Sequence, residues 1–303
     1  MSIKKTILLT RGIIISALCL VSFTSIKAQS AGSTTAIITG KIADEQMSVV
    51  GGATIIAKNP QTNFSREVIS QEDGSYVISQ LPPGNYVVTI VNSGFTSQIR
   101  SLELTLGTTT VLNFMIKVGT PTEIIEITAG NDTYLEGKTE SSTNINRNTI
   151  TTLPINRRNF LDFSITAARV LADRVPAQGA SATSGLSFNG QSARFNNITI
   201  DGLDNNDLGS GSVRSTFSQE AVQEFQIISD GYNAEFGRAI GGIVNIITRG
   251  GSNEFHGQLF LLNRNDDIAA RDAFAPVKPP YSQYQFGTAL EGPIKKDRAF
   301  FFT

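Results

Sequence analysis

Residues Phe236–Gly257 read FGRAIGGIVNIITRGGSNEFHG, two glycine-rich turns around a β-branched run. Gly237 and Gly242 have the spacing of a phosphate-cradling loop. Ile243 and Val244, however, stand where such a loop needs a Lys for the phosphates and a Ser or Thr for the metal. The dinucleotide fingerprint fails as well, because no GxGxxG opens a helix here. The run IVNIIT is a strand by its β-branched content. A nucleotide does not explain these glycines, and some other backbone need is left open.

Downstream, Tyr284, Phe286, Thr288 and Leu290 alternate with Gln285, Gly287, Ala289 and Glu291. A period of two gives a strand with one apolar face, and in a transmembrane barrel that face points outward to lipid. Gly292–Asp297 is expected to be a short charged turn, and Arg298–Thr303 to begin the next strand.

Upstream, Asn159 is placed to cap a helix carrying Phe160, Phe163, Ala167 and Leu171 on one face. Thr149–Pro154 and Asn156–Asn159 read as loop and helix entry, with Arg157 and Arg158 solvated. Ser187–Asn189, Phe195–Asp201 and Gln226–Ile228 read as strands, which makes 143–251 an α+β module. Asp201–Asp207 (DGLDNND) carries acidic residues at positions 1, 4 and 7. An EF-hand loop needs positions 1, 3, 5 and a Glu at 12, so these residues are read as a turn.

Residues 35–117 read as a β-sandwich. Tyr76/Ile78, Tyr86/Val88/Ile90, Leu102/Leu104/Leu106 and Leu112/Phe114/Ile116 alternate at period two, and DG, PPG and SG turn signals separate them. Residues 118–142 form a linker. Within it, Thr122–Thr128 (TEIIEIT) is an isolated strand-like segment with two readings: an edge strand of a neighbouring domain, or a strand offered to a partner's open sheet edge.

The N-terminus has the layout of a secretory signal. Lys4, Lys5 and Arg11 precede an apolar run, Ile13–Phe23, and Ala28–Gln29 is the expected cleavage point. That run is too short to span a bilayer, which takes about 20 residues. Removing residues 1–28 takes away the single cysteine, Cys19, along with four basic residues and no acidic ones. The remaining acidic balance argues against nucleic acid as a partner. One histidine, His256, with no cysteine beside it, supports neither a zinc site nor a His-based triad. No metal, cofactor or catalytic residue is expected, and the chain is read as a non-enzyme.

Two resemblances follow from these residues. ITGKIAD (38–44), GGATIIAKNPQT (51–62), EDGSYVISQLPPGNYVVTI (72–90) and SGF (93–95) resemble the carboxypeptidase regulatory-like domain, a non-catalytic transthyretin-like sandwich. FNGQSARFNNITIDGLDNND (188–207) and the stretch Ser218–Phe260 resemble the plug of TonB-dependent outer-membrane receptors, specifically the Oar-like group. The resemblance implies a mainly β chain of three parts: a sandwich on the periplasmic side, an α+β plug, and the first strands of a truncated barrel from 252 to 303. It implies that Glu123, Ile124, Ile125, Glu126, Ile127 and Thr128 are the TonB box, and that Gly250–Gly251 is the hinge into the barrel. The implied partners are the TonB energy-transducing protein, outer-membrane lipid and an unidentified bulky nutrient. The alternative is a secreted or surface adhesion protein that binds through its sandwich.

Overall fold

The computed structural model describes residues 34–119, 124–128, 133–135, 140–153, 159–173, 184–207, 209, 211–234, 236–271, 273–274, 276–278 and 280–303. Eight strands come first: β1 (Ala36–Asp44), β2 (Thr54–Lys58), β3 (Ser65–Ile69), β4 (Ser75–Leu81), β5 (Gly84–Val91), β6 (Ser97–Leu104), β7 (Thr109–Leu112) and β8 (Phe114–Ile116). They fall into two sheets. β7, β1 and β4 lie side by side with β8 also on β1, while β3, β2, β5 and β6 make the second sheet.

Each strand turns one side chain in two toward the space between the sheets. Tyr76, Ile78, Tyr86, Val88, Ile90, Leu104, Leu112, Phe114 and Ile116 are all buried there in one cluster. The Tyr76 hydroxyl donates to the carbonyl of Leu112 at 2.6 Å, so this buried phenol keeps a partner. Burial pushes its pKa upward.

Two described pieces of the stretch read as a linker are strands. β9 (Ile124–Thr128) runs parallel to β6 as the last strand of the second sheet, and β10 (Thr133–Leu135) pairs with β7 as the last strand of the first. β9 and β10 are thus end strands of their sheets. Within the stretch read as a linker, Thr133–Leu135 and Ser141–Ser142 take their order from sheet neighbours distant in sequence.

The middle module is a mixed sheet in the order β11-β16-β17-β14-β15. Its strands are β11 (Ser141–Asn146), β14 (Asn197–Ile200), β15 (Leu203–Asp204), β16 (Val222–Asp230) and β17 (Ile243–Thr248), and a small pair, β12 (Val170–Ala172) and β13 (Leu186–Phe188), lies beside them. β17 is central. Ile243, Val244, Asn245 and Ile246 are all buried, as in a strand covered on both faces.

Helix α1 (Arg147–Thr152), capped by Asn146 through the Thr149 N–H, occupies ground read from sequence as loop. Asn159 does cap a helix, accepting from the Leu161 N–H, but that helix is a 3-10 helix and ends at Thr166. Arg169, at φ 67°, turns the chain away, and Leu171 emerges in β12, largely exposed. Phe160 and Phe163 are buried as expected. Their rings stack on Phe217 and Phe225, with centroids 4.6 and 5.5 Å apart.

A three-stranded antiparallel meander follows: β18 (His256–Asn265), β19 (Ser282–Lys295) and β20 (Ala299–Phe302). β19 runs through Gly292–Lys295, which sequence assigned to a turn. The turn itself is Lys296–Arg298, because the pairing of Gly292 and Pro293 with Phe301 and Phe300 keeps the chain extended. Tyr284, Phe286, Thr288 and Leu290 are exposed, while Ala289 and Glu291 are buried on the opposite face. Among the described residues no helix is long and apolar enough to cross a membrane.

Candidate functional site

The opening glycines act through space. A side chain at Gly242 would meet the Phe188 ring at 2.0 Å, and one at Gly241 would meet Asn196 Oδ1 at 2.3 Å. Both let β17 enter the packed centre of its sheet. Gly251 adopts φ +80°, a left-handed conformation, at the exit toward β18.

At that exit, charges gather. Arg249, from the end of β17, pairs with Glu291 of β19, and both side chains are nearly buried. His256 Nδ1 lies 3.6 Å from the same carboxylate. The Arg249 guanidinium also sits 5.0 Å from the centre of the Phe302 ring, so β17 is tied to both β19 and β20. Arg147 donates to the carbonyls of Glu220 and Val222 at 3.1 and 3.0 Å. Burial, reinforced by repulsion from Arg249, lowers its pKa to about 10.

This cluster borders a polar cavity of about 580 Å³ whose far wall includes Asn85, Glu103 and Leu104 of the sandwich. The sandwich is also held directly. Buried Glu224 of β16 accepts from the Leu106 N–H at 3.0 Å and from Asn144 Nδ2 at 2.9 Å, and Asn144 Nδ2 also donates to the Leu106 carbonyl at 2.7 Å. Gly107, at φ +64°, brings its backbone against the buried Gln226 side chain, where a Cβ would lie 2.3 Å from Nε2. Farther along, the Asn253 N–H donates to the Gln61 carbonyl at 2.9 Å. Asn253 Nδ2 reaches Asp297 in the β19–β20 turn at 2.9 Å.

Residues 37–117 match the model of the carboxypeptidase regulatory-like domain, and residues 247–303 that of the outer membrane beta barrel domain. Over 278 residues, 88% of its length, the chain is 31% identical to the TonB-dependent transporter Oar of Myxococcus xanthus. The likeness, across the sandwich and the first barrel strands, is to TonB-dependent receptors. It spans 26% of the length of that Oar transporter. Among solved structures it is similar to the siderophore receptor PirA of Acinetobacter baumannii (22% identity, TM-score 0.40, 52% of this chain and 23% of that one). It is also similar to a mutant of the ferric enterobactin receptor PfeA of Pseudomonas aeruginosa (21% identity, TM-score 0.39, 52% and 22%).

The outer membrane beta barrel domain places the protein in the outer membrane. The central strand of the middle sheet, β17, leads through Gly250–Gly251 into β18. Of the expected box residues, Ile124–Thr128 form β9 on the sandwich, while Glu123 lies outside the described residues. So do Ala28, Gln29 and Asn156–Arg158. In the acidic run, Asp201 accepts from the N–H and hydroxyl of Thr248, at 2.9 and 2.6 Å. It holds the end of β17 as a turn residue.

Sequence reading missed Arg147, Arg249, Glu224 and Glu291. The only signal available was charge at the edges of otherwise apolar strands, and its meaning depends on which strands become neighbours.

Proposed function

We propose that this chain is part of a TonB-dependent receptor with the middle sheet as its plug, and that it imports a bulky nutrient through a plugged β-barrel, energised by TonB, which engages Glu123–Thr128. The observation that carries this reading is the continuous path from buried β17 into β18 and β19, whose exposed apolar face suits lipid. The turn at Lys296–Arg298 is short, and the connection from Asp266 to Tyr281 is long. In outer-membrane barrels short turns face the periplasm, so the sandwich, bonded to Asn253 beside that short turn, belongs on the periplasmic side where TonB acts. The charged pair Arg249–Glu291 would hold the plug to the barrel wall until TonB pulls.

The test is binding of the purified TonB C-terminal domain. Ile125→Pro removes a backbone N–H and fixes φ near −65°, so it is expected to abolish binding. Ile125→Val keeps the strand preference and is expected to bind normally. Full binding by the proline variant would refute the box.

A further inference from the structure

A box segment is ordinarily thought of as free chain, but here Ile124–Thr128 is already a strand. Five consecutive residues of β9 pair with Ser97–Ser101 of β6 in an unbroken parallel register. β9 is the outermost strand of its sheet, and among the described residues its second edge pairs with no strand. We propose that the partner's strand adds to this outer edge while β9 stays paired to β6. The bound state is then one continuous sheet running from the sandwich through β9 into TonB. The inference rests on the box reading of residues 123–128.

The four sheet edges of the sandwich differ in how they are guarded. β3 carries exposed Ser65, Arg66 and Glu67, and Arg66 donates to Gln80 of β4 at 2.8 Å. β4 pairs with β1 through a register shift, with Gln80 at φ 60°. β10 has three residues. Charge, bulging and shortness are the devices that keep an edge from pairing. β9 has a regular register and the sequence IIEIT, with a single charge. Among the described residues it is the edge left open.

Energetics favour addition over removal. Stripping β9 from β6 would forfeit the backbone pairing of five residues, each net hydrogen bond being worth about 0.5–1.5 kcal/mol. Adding a strand keeps that pairing. It also spares the roughly 1–2 kcal/mol per residue that ordering a free segment costs. Force on such a sheet would reach the plug through the whole sandwich, by way of Leu106 on Glu224 and Asn144. The sandwich becomes a handle.

The test locks β9 in place. Ser101 and Thr128 are register partners, and adjacent strands lie about 4.8 Å apart, within the roughly 4.4–6.8 Å Cα range a disulfide spans. With Cys19 the single native cysteine, the Ser101→Cys/Thr128→Cys pair has no competing thiol once the leader is removed. The full chain in detergent, oxidised, is expected to bind the TonB C-terminal domain with a Kd within threefold of its unsubstituted counterpart. Hydrogen exchange at residues 97–104 of the unsubstituted chain is expected to stay as slow or slower on binding. Binding lost on oxidation and restored by reductant would overturn the proposal and leave the box intact. Faster exchange at 97–104 would do the same, and it decides the question even if the disulfide fails to form. Equal binding by Ile125→Pro and the unsubstituted chain would instead remove the box, and the composite sheet with it.

Discussion

The sandwich and the barrel meander use the same period-two alternation and send it to opposite places. Tyr76 of β4 is 2% exposed, and Tyr284 of β19 is 65% exposed. Phe114 is buried in the space between two sheets, whereas Phe286 is 81% exposed. An apolar strand face must leave water. In the sandwich it meets a second sheet; in the meander, among the described residues, it meets no other protein layer, a face suited to lipid. Exposure of a large apolar side chain is thus a defect in one half of the molecule and a membrane address in the other.

The largest effect should come from emptying the closed core. Tyr76→Ala leaves a cavity and an unpaired Leu112 carbonyl, and is expected to cost about 3–5 kcal/mol by analogy with buried aromatic truncations. A melt of residues 35–117 followed by circular dichroism would measure it. The same substitution at Tyr284 should leave that melt untouched, since the residue is outside the segment, and should leave the receptor folded in detergent.

Next comes the lipid face. Phe286→Arg should cost about 2–4 kcal/mol if Phe286 lies near the bilayer midplane, read as reduced folding into vesicles. Gly242→Ala probes the middle sheet, which belongs to neither pattern. Its methyl would meet the Phe188 ring, and overpacking of about 1–3 kcal/mol is expected, seen as earlier proteolysis of residues 140–251. The smallest effect belongs to Val77→Arg on β4. Val77 is 55% exposed on the outer face of the sandwich, and the change should stay within about 0.5 kcal/mol. If Phe286→Arg were equally silent in vesicles, the contrast between the two exposed faces would collapse.

How much of this was legible depended on range. Each core residue expected in the sandwich was readable because alternation is a local property, and a sandwich of short strands buries what alternates. The exposed face of β19 was readable for the same reason. Capping by Asn159 was readable too, but the helix it opens stops at Thr166. Its end depends on the turn at Arg169 and on the β12–β13 pair rather than on helical periodicity. The extension of β19 to Lys295 was hidden because β20, its partner, makes extended chain of residues that alone would favour a turn.

By itself the sequence determined the alternating strands of the sandwich, the exposed face of β19 and the cap at Asn159. Those follow from backbone chemistry and from patterns a few residues long. Only the tertiary structure decided that Ile124–Thr128 is the edge strand of a sandwich sheet, that Glu224 reaches Leu106, 118 residues away, and that Arg249 meets Glu291. Strand partners and buried charges are chosen by what the rest of the chain brings alongside, because a backbone edge or an ionised group gains stability only from a neighbour that supplies the missing bonds.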